Sequence, residues 1–131
     1  AYSHDAGRTF REFAGNPVVK HNGRDPKVVR HEPSGRWIMA VYDEDGDRRS
    51  IAFHSSADLK TWKYESRIDG FFECPDLFEL PVLGEAGVTK WVLYAADGKY
   101  RIGDFDGHRF VPDPGEKRTL WYGNFYAAQT Y

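Results

Sequence analysis

From Lys27 onward the chain is a succession of short runs in which apolar and polar residues alternate or apolar residues crowd together, each closed by Gly, Pro, Asp or Ser. "KVVRH", "RWIMAVYD", "RSIAFHSS" and "KTWKYES" come first, then "PDLFELP", "KWVLYAA", "KYRIGDFD" and "RFVPD". A period of two puts successive side chains on opposite faces of a strand, and runs this short between turn residues predict strands. Between them "EPSG" (32 to 35), "EDGD" (44 to 47), "SADL" (56 to 59), "ADGK" (96 to 99) and "DGH" (106 to 108) supply hairpin turns on the Asp-Gly logic. The pattern predicts an all-β fold.

The runs also repeat. "RDPKVVRHEPSGRWIMAVY" (24 to 42) lines up with "CPDLFELPVLGEAGVTKWVLYAA" (74 to 96): an Asp beside a Pro, an apolar run, a Gly-bearing turn, then a Trp leading apolar residues. "SHDAGRTF" (3 to 10), "SSADLKTW" (55 to 62) and "GDFDGHRF" (103 to 110) keep the same beat, each with a turn-forming Asp shortly before an aromatic. Four strands in about 50 residues describe one blade of a β-propeller. The chain then divides into the trailing strand of one blade within about 1–20 (near 7 to 14), a blade at 21–70, a second blade at 71–115, and the leading strand of a next blade within 116–131, at "NFYAAQTY". Closed propellers have roughly 4 to 8 blades, so about two blades plus flanking strands read as a piece of a larger ring. A small β-sandwich whose Asp-Gly turns recur by chance is the competing architecture.

Length and composition change this picture little. At 131 residues, with 40% hydrophobic and 29% charged residues, the chain is sized and mixed for one packed domain or part of one. A net charge of -2, with Lys and Arg scattered, leaves no basic surplus for phosphates, so no nucleic-acid partner is expected. No apolar stretch approaches the roughly 18 residues of a membrane span, so no membrane partner is expected. "AYSHDAGRTF" holds no apolar signal core, and the chain carries no address of its own. The single cysteine, Cys74, excludes an internal disulfide and a multi-cysteine metal site, and beside phenylalanines it reads first as a small hydrophobe. The five histidines show no pairing at ligand spacing, so neither a metal nor another cofactor is expected.

"FFECPDLFEL" (71 to 80) sets Glu73 and Asp76 inside one of the most apolar runs of the chain. Asp25 and Glu73 stand at equivalent places, at or just before the first strand of each unit. First strands line a propeller's axis, so residues at their leading ends converge on one pocket. Paired carboxylates serve glycoside hydrolysis: one protonates the leaving oxygen, another faces the positive charge developing at the anomeric carbon. Phe71, Phe72, Cys74 and Pro75 around Glu73 are expected to desolvate it, raise its pKa and keep it protonated near neutral pH. The structural reading is that Glu73 caps a surface turn and Asp25 accepts a hydrogen bond from its own backbone before Pro26. Spacing alone leaves both open.

"GRDPKVVRHEPSGRWIMAV", "SADLKTWKY", "ECPDLFELPV", "KWVLYAADGKYRIGDFDGHRF" and "NFYAAQTY", in this order over almost the whole chain, resemble the levanase and invertase group, glycoside hydrolase family 32. The resemblance implies a five-bladed propeller that hydrolyses β-fructofuranosides, such as levan, inulin or sucrose, with retention of configuration. It implies Asp25 as the stabiliser that holds fructose hydroxyls, Glu73 as general acid/base, and Arg24 and Cys74 beside the fructosyl subsite. A secreted or periplasmic parent protein is implied as well. The family's nucleophile, the first Asp of an Asn-Asp-Pro-Asn-Gly type motif, has no counterpart here, since "GNPVVKHNG" (15 to 23) and "HDAG" (4 to 7) do not match. Asn124 is a smaller departure, standing where relatives often carry Asp before "FYA". The chain therefore reads as a central fragment, beginning after the nucleophile blade and expected to be inactive alone. A non-catalytic carbohydrate-binding or assembly module is the alternative. The arabinan- and xylan-cleaving propellers are a third reading, against which "ECPDLFEL" argues.

Trp37, Trp62 and Trp91 recur with the repeat and are expected to pack between blades. Trp121 and Tyr126 fall outside that beat, near the last strand; each either fills the core or reaches a sugar subsite, and Tyr126 is taken as a substrate-binding candidate. "AFHSSADLK" lacks the strained nucleophile turn of a hydrolase triad. "DEDGDRR" (43 to 49) and "GEKR" (115 to 118) read as solvated turns. Blade faces and strand edges left without neighbours predict a homo-oligomer, formed through those faces or by exchange of "AGRTFREF" and "NFYAAQTY".

Overall fold

The structure, a computed structural model, describes residues 1–123 and 125–131; Asn124 lies outside the described residues. The eight apolar runs form β1 (Arg24–His31), β2 (Arg36–Asp45), β3 (Arg48–Ser56), β4 (Lys63–Asp69), β5 (Asp76–Pro81), β6 (Thr89–Tyr94), β7 (Lys99–Phe105) and β8 (Phe110–Pro112). β1 to β4 make one antiparallel sheet in chain order, and β5 to β8 make a second. This is an all-β fold of two propeller blades.

A ninth strand, β9 (Arg118–Thr119), pairs with β7 at Lys99 and Tyr100, beyond the end of β8. Pro112 and Pro114 lack the N–H that a continuous edge strand would donate, so the outer strand is broken in two. Two residues carry no alternation, which is why β9 leaves no signal in the sequence. One 3-10 turn, Glu32–Ser34, joins β1 to β2. No helix among the described residues is long and apolar enough to cross a membrane.

The alternation decides how the sheets meet. Ile38, Ala40, Tyr42, Ile51 and Phe53 from one sheet pack with Leu77, Trp91, Leu93, Phe105 and Phe110 from the other, and Phe71 from the connecting loop completes a single core. Met39, Val41 and Ala52 project from the opposite face of the first sheet, where Val19 and Trp62 cover them. β2 and β3 are thus buried on both faces. Of the three tryptophans expected between blades, only Trp91 lies there: Trp62 packs on the far face, and Trp37 is half-buried under the Arg30 guanidinium, 5.4 Å from its ring. The far face of the second sheet keeps Leu80 (50%) and Val111 (54%) exposed.

A polar tie at the rim supports this packing. Ser66 Oγ donates to the carbonyl of His108, on the β7–β8 turn, at 2.6 Å. The buried Glu65 carboxylate lies 3.0 Å from His108 Nδ1, accepts from Ser55 Oγ at 2.6 Å and from Lys63 Nζ at 3.0 Å. Burial opposes the charge, yet these partners prevail and hold Glu65 at about 2.

The flanking segments, expected as strands, run as irregular chain. Among the described residues of 1–20 there is a single antiparallel bridge, Tyr2 to Arg11, and 125–131 hold no strand.

The core makes a direct prediction. Leu77→Ala removes a fully buried side chain between the blades and should lower the unfolding free energy by about 2–5 kcal/mol. Leu80→Ala, on the uncovered face, should change it by less than about 1 kcal/mol. Urea unfolding of both variants measures the contrast; equal losses would contradict the inter-blade core.

Candidate active site

The leading end of β1 is shaped by a glycine and a bulge. A Cβ on Gly23 would lie 1.7 Å from the Tyr42 carbonyl oxygen, so only glycine lets the chain enter here and pair Arg24 with Tyr42. Between Arg24 and Lys27 the register slips, and Asp25 takes a left-handed φ of 60°. Such a bulge turns a side chain out of the ladder's alternation. Before β5 the same happens twice, with Glu73 at φ 51° and Cys74 at φ 40°. Ala127, at φ 54°, is a fourth left-handed residue at this end. Each such residue costs on the order of 1–3 kcal/mol and persists only where neighbours hold it. The fully buried Ala96 is one holder: its N–H donates to the carbonyls of Phe72 (3.1 Å) and Glu73 (3.0 Å), and its carbonyl accepts from Ala127 N–H at 3.4 Å.

These constraints bring Arg24, Asp25, Glu73, Cys74 and Tyr126 together. Arg24 Nε donates to Glu73 Oε1 at 3.0 Å, with Nη2 on the same oxygen, and the Tyr126 hydroxyl donates to Glu73 Oε2. Arg24 Nη1 reaches Glu44 Oε2 at 3.3 Å, and its guanidinium lies over the Tyr42 ring at 4.8 Å. The amide of Cys74 donates to Asp25 Oδ2 at 3.4 Å, so the two carboxylate motifs are joined directly. The bond expected from Asp25's own backbone is replaced by one from the neighbouring blade.

The expected rise in the pKa of Glu73 is not found. Donation by Tyr126, and after it by Arg24, stabilises the carboxylate more than its apolar neighbours penalise it, and Glu73 is held below its ordinary value. The partners respond in kind: Tyr126 is pushed up to about 12 and Arg24 rises further above its own range, chiefly through Glu73. Cys74 is raised by burial and then by Asp25, which keeps it a thiol rather than a nucleophilic thiolate.

A second cluster locks the blades just behind. Asp76, 1% exposed, forms an ion pair with Lys27 Nζ at 3.0 Å and accepts from Thr130 N–H at 2.5 Å. Lys27 Nζ also donates to the Thr130 carbonyl at 2.5 Å. Gln129 donates to the carbonyls of Cys74 (3.5 Å) and Pro75 (3.4 Å). The segment carrying Tyr126 is thereby strapped across the mouth, where Asp25, Pro26, Cys74, Ala127 and Gln129 line an open cleft of about 260 Å³. Lys27, Glu44, Gln129 and Thr130 are not singled out as site residues by the sequence, where Glu44 reads as part of a solvated turn. Asp76 alone had a signal, as a carboxylate amid phenylalanines. Among the described residues no group of three or more His, Cys, Asp or Glu is arranged to hold a metal ion.

Two outcomes follow from this geometry. Tyr126→Phe removes the strongest donor to Glu73 and should raise its pKa toward the ordinary carboxylate value, read by carboxyl NMR titration. Because the folded pKa is depressed, Glu73's contribution to stability is present above its unfolded pKa and fades as pH falls through the folded value. Tyr126→Phe should weaken that acid-side dependence. Asp76→Ala leaves Lys27 without its buried partner and should cost about 3–5 kcal/mol, with loss of hydrogen-exchange protection at Thr130; unchanged protection would contradict the strap.

Comparison with known proteins agrees with the fold and the motifs. The family model described as "Glycosyl hydrolases family 32 N-terminal domain" matches residues 1–131. The chain is 40% identical to the levanase of Bacillus subtilis (strain 168), over 100% of this chain and 22% of that protein. It is 36% identical to invertase 1 of Saccharomyces cerevisiae, over 100% of this chain and 28% of that protein. The chain thus spans about a quarter of the length of the curated relatives it matches. A fructofuranosidase from Schwanniomyces occidentalis, solved in complex with fructose, superposes with a TM-score of 0.82 at 35% identity, covering 95% of this chain and 28% of that one. Two adjoining blades whose leading ends carry Arg24-Asp25-Pro26 and Glu73-Cys74-Pro75 make this chain a member of glycosyl hydrolase family 32.

Proposed function

We propose that the chain supplies two of the working carboxylates of a retaining hydrolase of β-fructofuranosides: Glu73 as general acid/base and Asp25 as the group that stabilises positive charge at the anomeric carbon. Arg24, Cys74 and Tyr126 shape the fructosyl subsite. One observation carries the reading, the hydrogen bond from Cys74 N–H to Asp25 Oδ2 that joins the two motifs across the blade boundary at an open cleft. The relatives' names, levanase, exo-inulinase and invertase, support a β-fructoside substrate.

Glu73 is a carboxylate accepting from Arg24 and Tyr126, the form needed to take a proton from water in the second half of a retaining reaction. The first half needs the acid. A sugar in the cleft excludes water and draws donors toward its own hydroxyls, and both effects raise the carboxyl pKa. Asp25, turned outward by the bulge, presents its carboxylate where fructose hydroxyls and the oxocarbenium-like charge arise.

The 131 residues contain no Asn-Asp-Pro type motif for a nucleophile, so the isolated chain is proposed to be inactive. We assign β1–β4 to a blade at 21–70 and β5–β8 to a blade at 71–115. The exposed Leu80, Val111, Trp121 and Tyr122 favour self-association of the isolated chain.

In an enzyme that contains this segment together with its nucleophile, Glu73→Gln should lower kcat by about 10²–10⁴-fold with little change in KM. A substrate with an activated leaving group should recover much of the loss, because it needs no proton. Asp25→Asn should lower kcat by about 10²–10³-fold whatever the leaving group. Near-normal turnover of the Glu73 variant on sucrose or inulin would remove the assignment. Sedimentation of the 131-residue chain at micromolar concentration should show a dimer or larger species, and a stable monomer would refute the self-association.

A further inference from the structure

Arg24 does not serve Glu73 alone. Its Nε–Nη2 edge points to Glu73 Oε1, while Nη1 points to Glu44 Oε2 at 3.3 Å. Glu44 sits two residues beyond Tyr42 on β2, so both side chains leave the same face of the strand. Arg24 pairs in register with Tyr42 and stacks on its ring at 4.8 Å. The guanidinium is therefore fixed in plane by an aromatic and lies among three carboxylates: Glu73, Glu44 at the start of the β2–β3 hairpin, and Asp25 with Oδ2 4.0 Å from Nε. Across that hairpin Glu44 pairs with Arg49, whose guanidinium lies over Phe72 at 4.8 Å, next to Glu73 in the chain.

We propose that Glu44 is a positioning residue for the reaction: by sharing Arg24, and by adding a negative charge beyond it, Glu44 limits how tightly Arg24 holds Glu73 and keeps Glu73 able to take up a proton. Without Glu44, Arg24 would pair more strongly with Glu73 and hold it further in its charged form. An acid/base residue must gain and lose a proton in each turnover, so a partner that only stabilises the anion opposes half the cycle. Glu44 competes for the same cation and repels the Glu73 anion, and both effects act in one direction. The charged and titratable groups around Glu73 and its partner Arg24 are Arg24 and Asp25 from β1, Glu44 from β2, Arg49 from β3, Cys74 beside Glu73 and Tyr126 from the strap. Of these, Glu44 shares Arg24's guanidinium from the side away from the cleft. The proposal rests on reading Glu73 as the acid/base, but the coupling itself is measurable without turnover.

The test is carboxyl-carbon NMR titration of Glu73 in the 131-residue chain carrying labelled glutamate. Glu44→Gln keeps an oxygen that can accept from Nη1 and removes only the charge. It should lower the Glu73 midpoint by about half a pH unit, or roughly threefold in proton affinity. Glu44→Asp, which keeps the charge, should leave the midpoint near that of the parent. In an Arg24→Lys background, where the fork that bridges the two carboxylates is gone, the Glu44→Gln shift should fall to less than half. An unchanged or raised midpoint in Glu44→Gln would overturn the proposal. So would an equal shift in the Arg24→Lys background, since the influence would then bypass Arg24. Full turnover of a Glu73→Gln enzyme would instead remove the acid/base reading and leave this coupling standing.

Discussion

The shared apolar core between the two sheets fixes where the leading ends of β1 and β5 lie, and the site exists only because they lie side by side. Tyr42, Phe53, Leu77 and Leu93 are buried to within a few per cent. Each such side chain contributes about 1.5–3 kcal/mol when removed from water, so the core sets the inter-blade geometry well before polar contacts refine it. The Lys27–Asp76 pair refines it further. A buried ion pair adds little net stability but strongly penalises any arrangement that separates it. Asp76 therefore acts as a registry pin between β1 and β5, and it captures the strap that carries Tyr126 and Gln129 over the cleft.

Held this way, the rim beside the cleft carries a dense set of charges. Asp25, Glu44 and Glu73 surround Arg24, and acidic side chains outnumber the guanidinium groups around them. Such a field disfavours anions and favours a positive charge developing in a bound ligand, which is the charge that breaking a glycosidic bond creates. The left-handed backbone at Asp25, Glu73 and Cys74 serves the same end, turning side chains off the sheet and into the space between blades. Strain there is tolerated because the buried Ala96, two residues beyond the end of β6, ties the loop and the strap to the core.

Much of this was legible in the sequence, for physical reasons. Period-two alternation and Asp-Gly turns report local geometry, and β1 to β8 follow from them directly. The pairing of Arg24-Asp25-Pro26 with Glu73-Cys74-Pro75 was also visible, because equivalent positions in a repeat converge by symmetry. What the sequence hid depends on contacts between distant residues. β9 is two residues of edge pairing with no alternation of its own. The depressed pKa of Glu73 reflects Arg24 and Tyr126, about 50 residues away on either side, and local apolar neighbours gave the opposite sign. Glu44 lay in a charged hairpin whose composition is that of any solvated turn, and only the contact from Arg24 Nη1 shows that it shares the guanidinium that holds Glu73. Trp62 kept the repeat's beat but packs on the far face, since periodicity gives the spacing of a residue and not which sheet face its neighbours leave open.

The most direct test of the account is an experimental structure of this chain, or of an enzyme containing it, with fructose bound. The ring should sit in the cleft between Asp25 and Glu73, with sugar hydroxyls within hydrogen-bond distance of Asp25 and with Arg24 drawn from Glu73 toward the ligand. Fructose bound elsewhere, or Asp25 and Glu73 on opposite faces of their sheets, would contradict it.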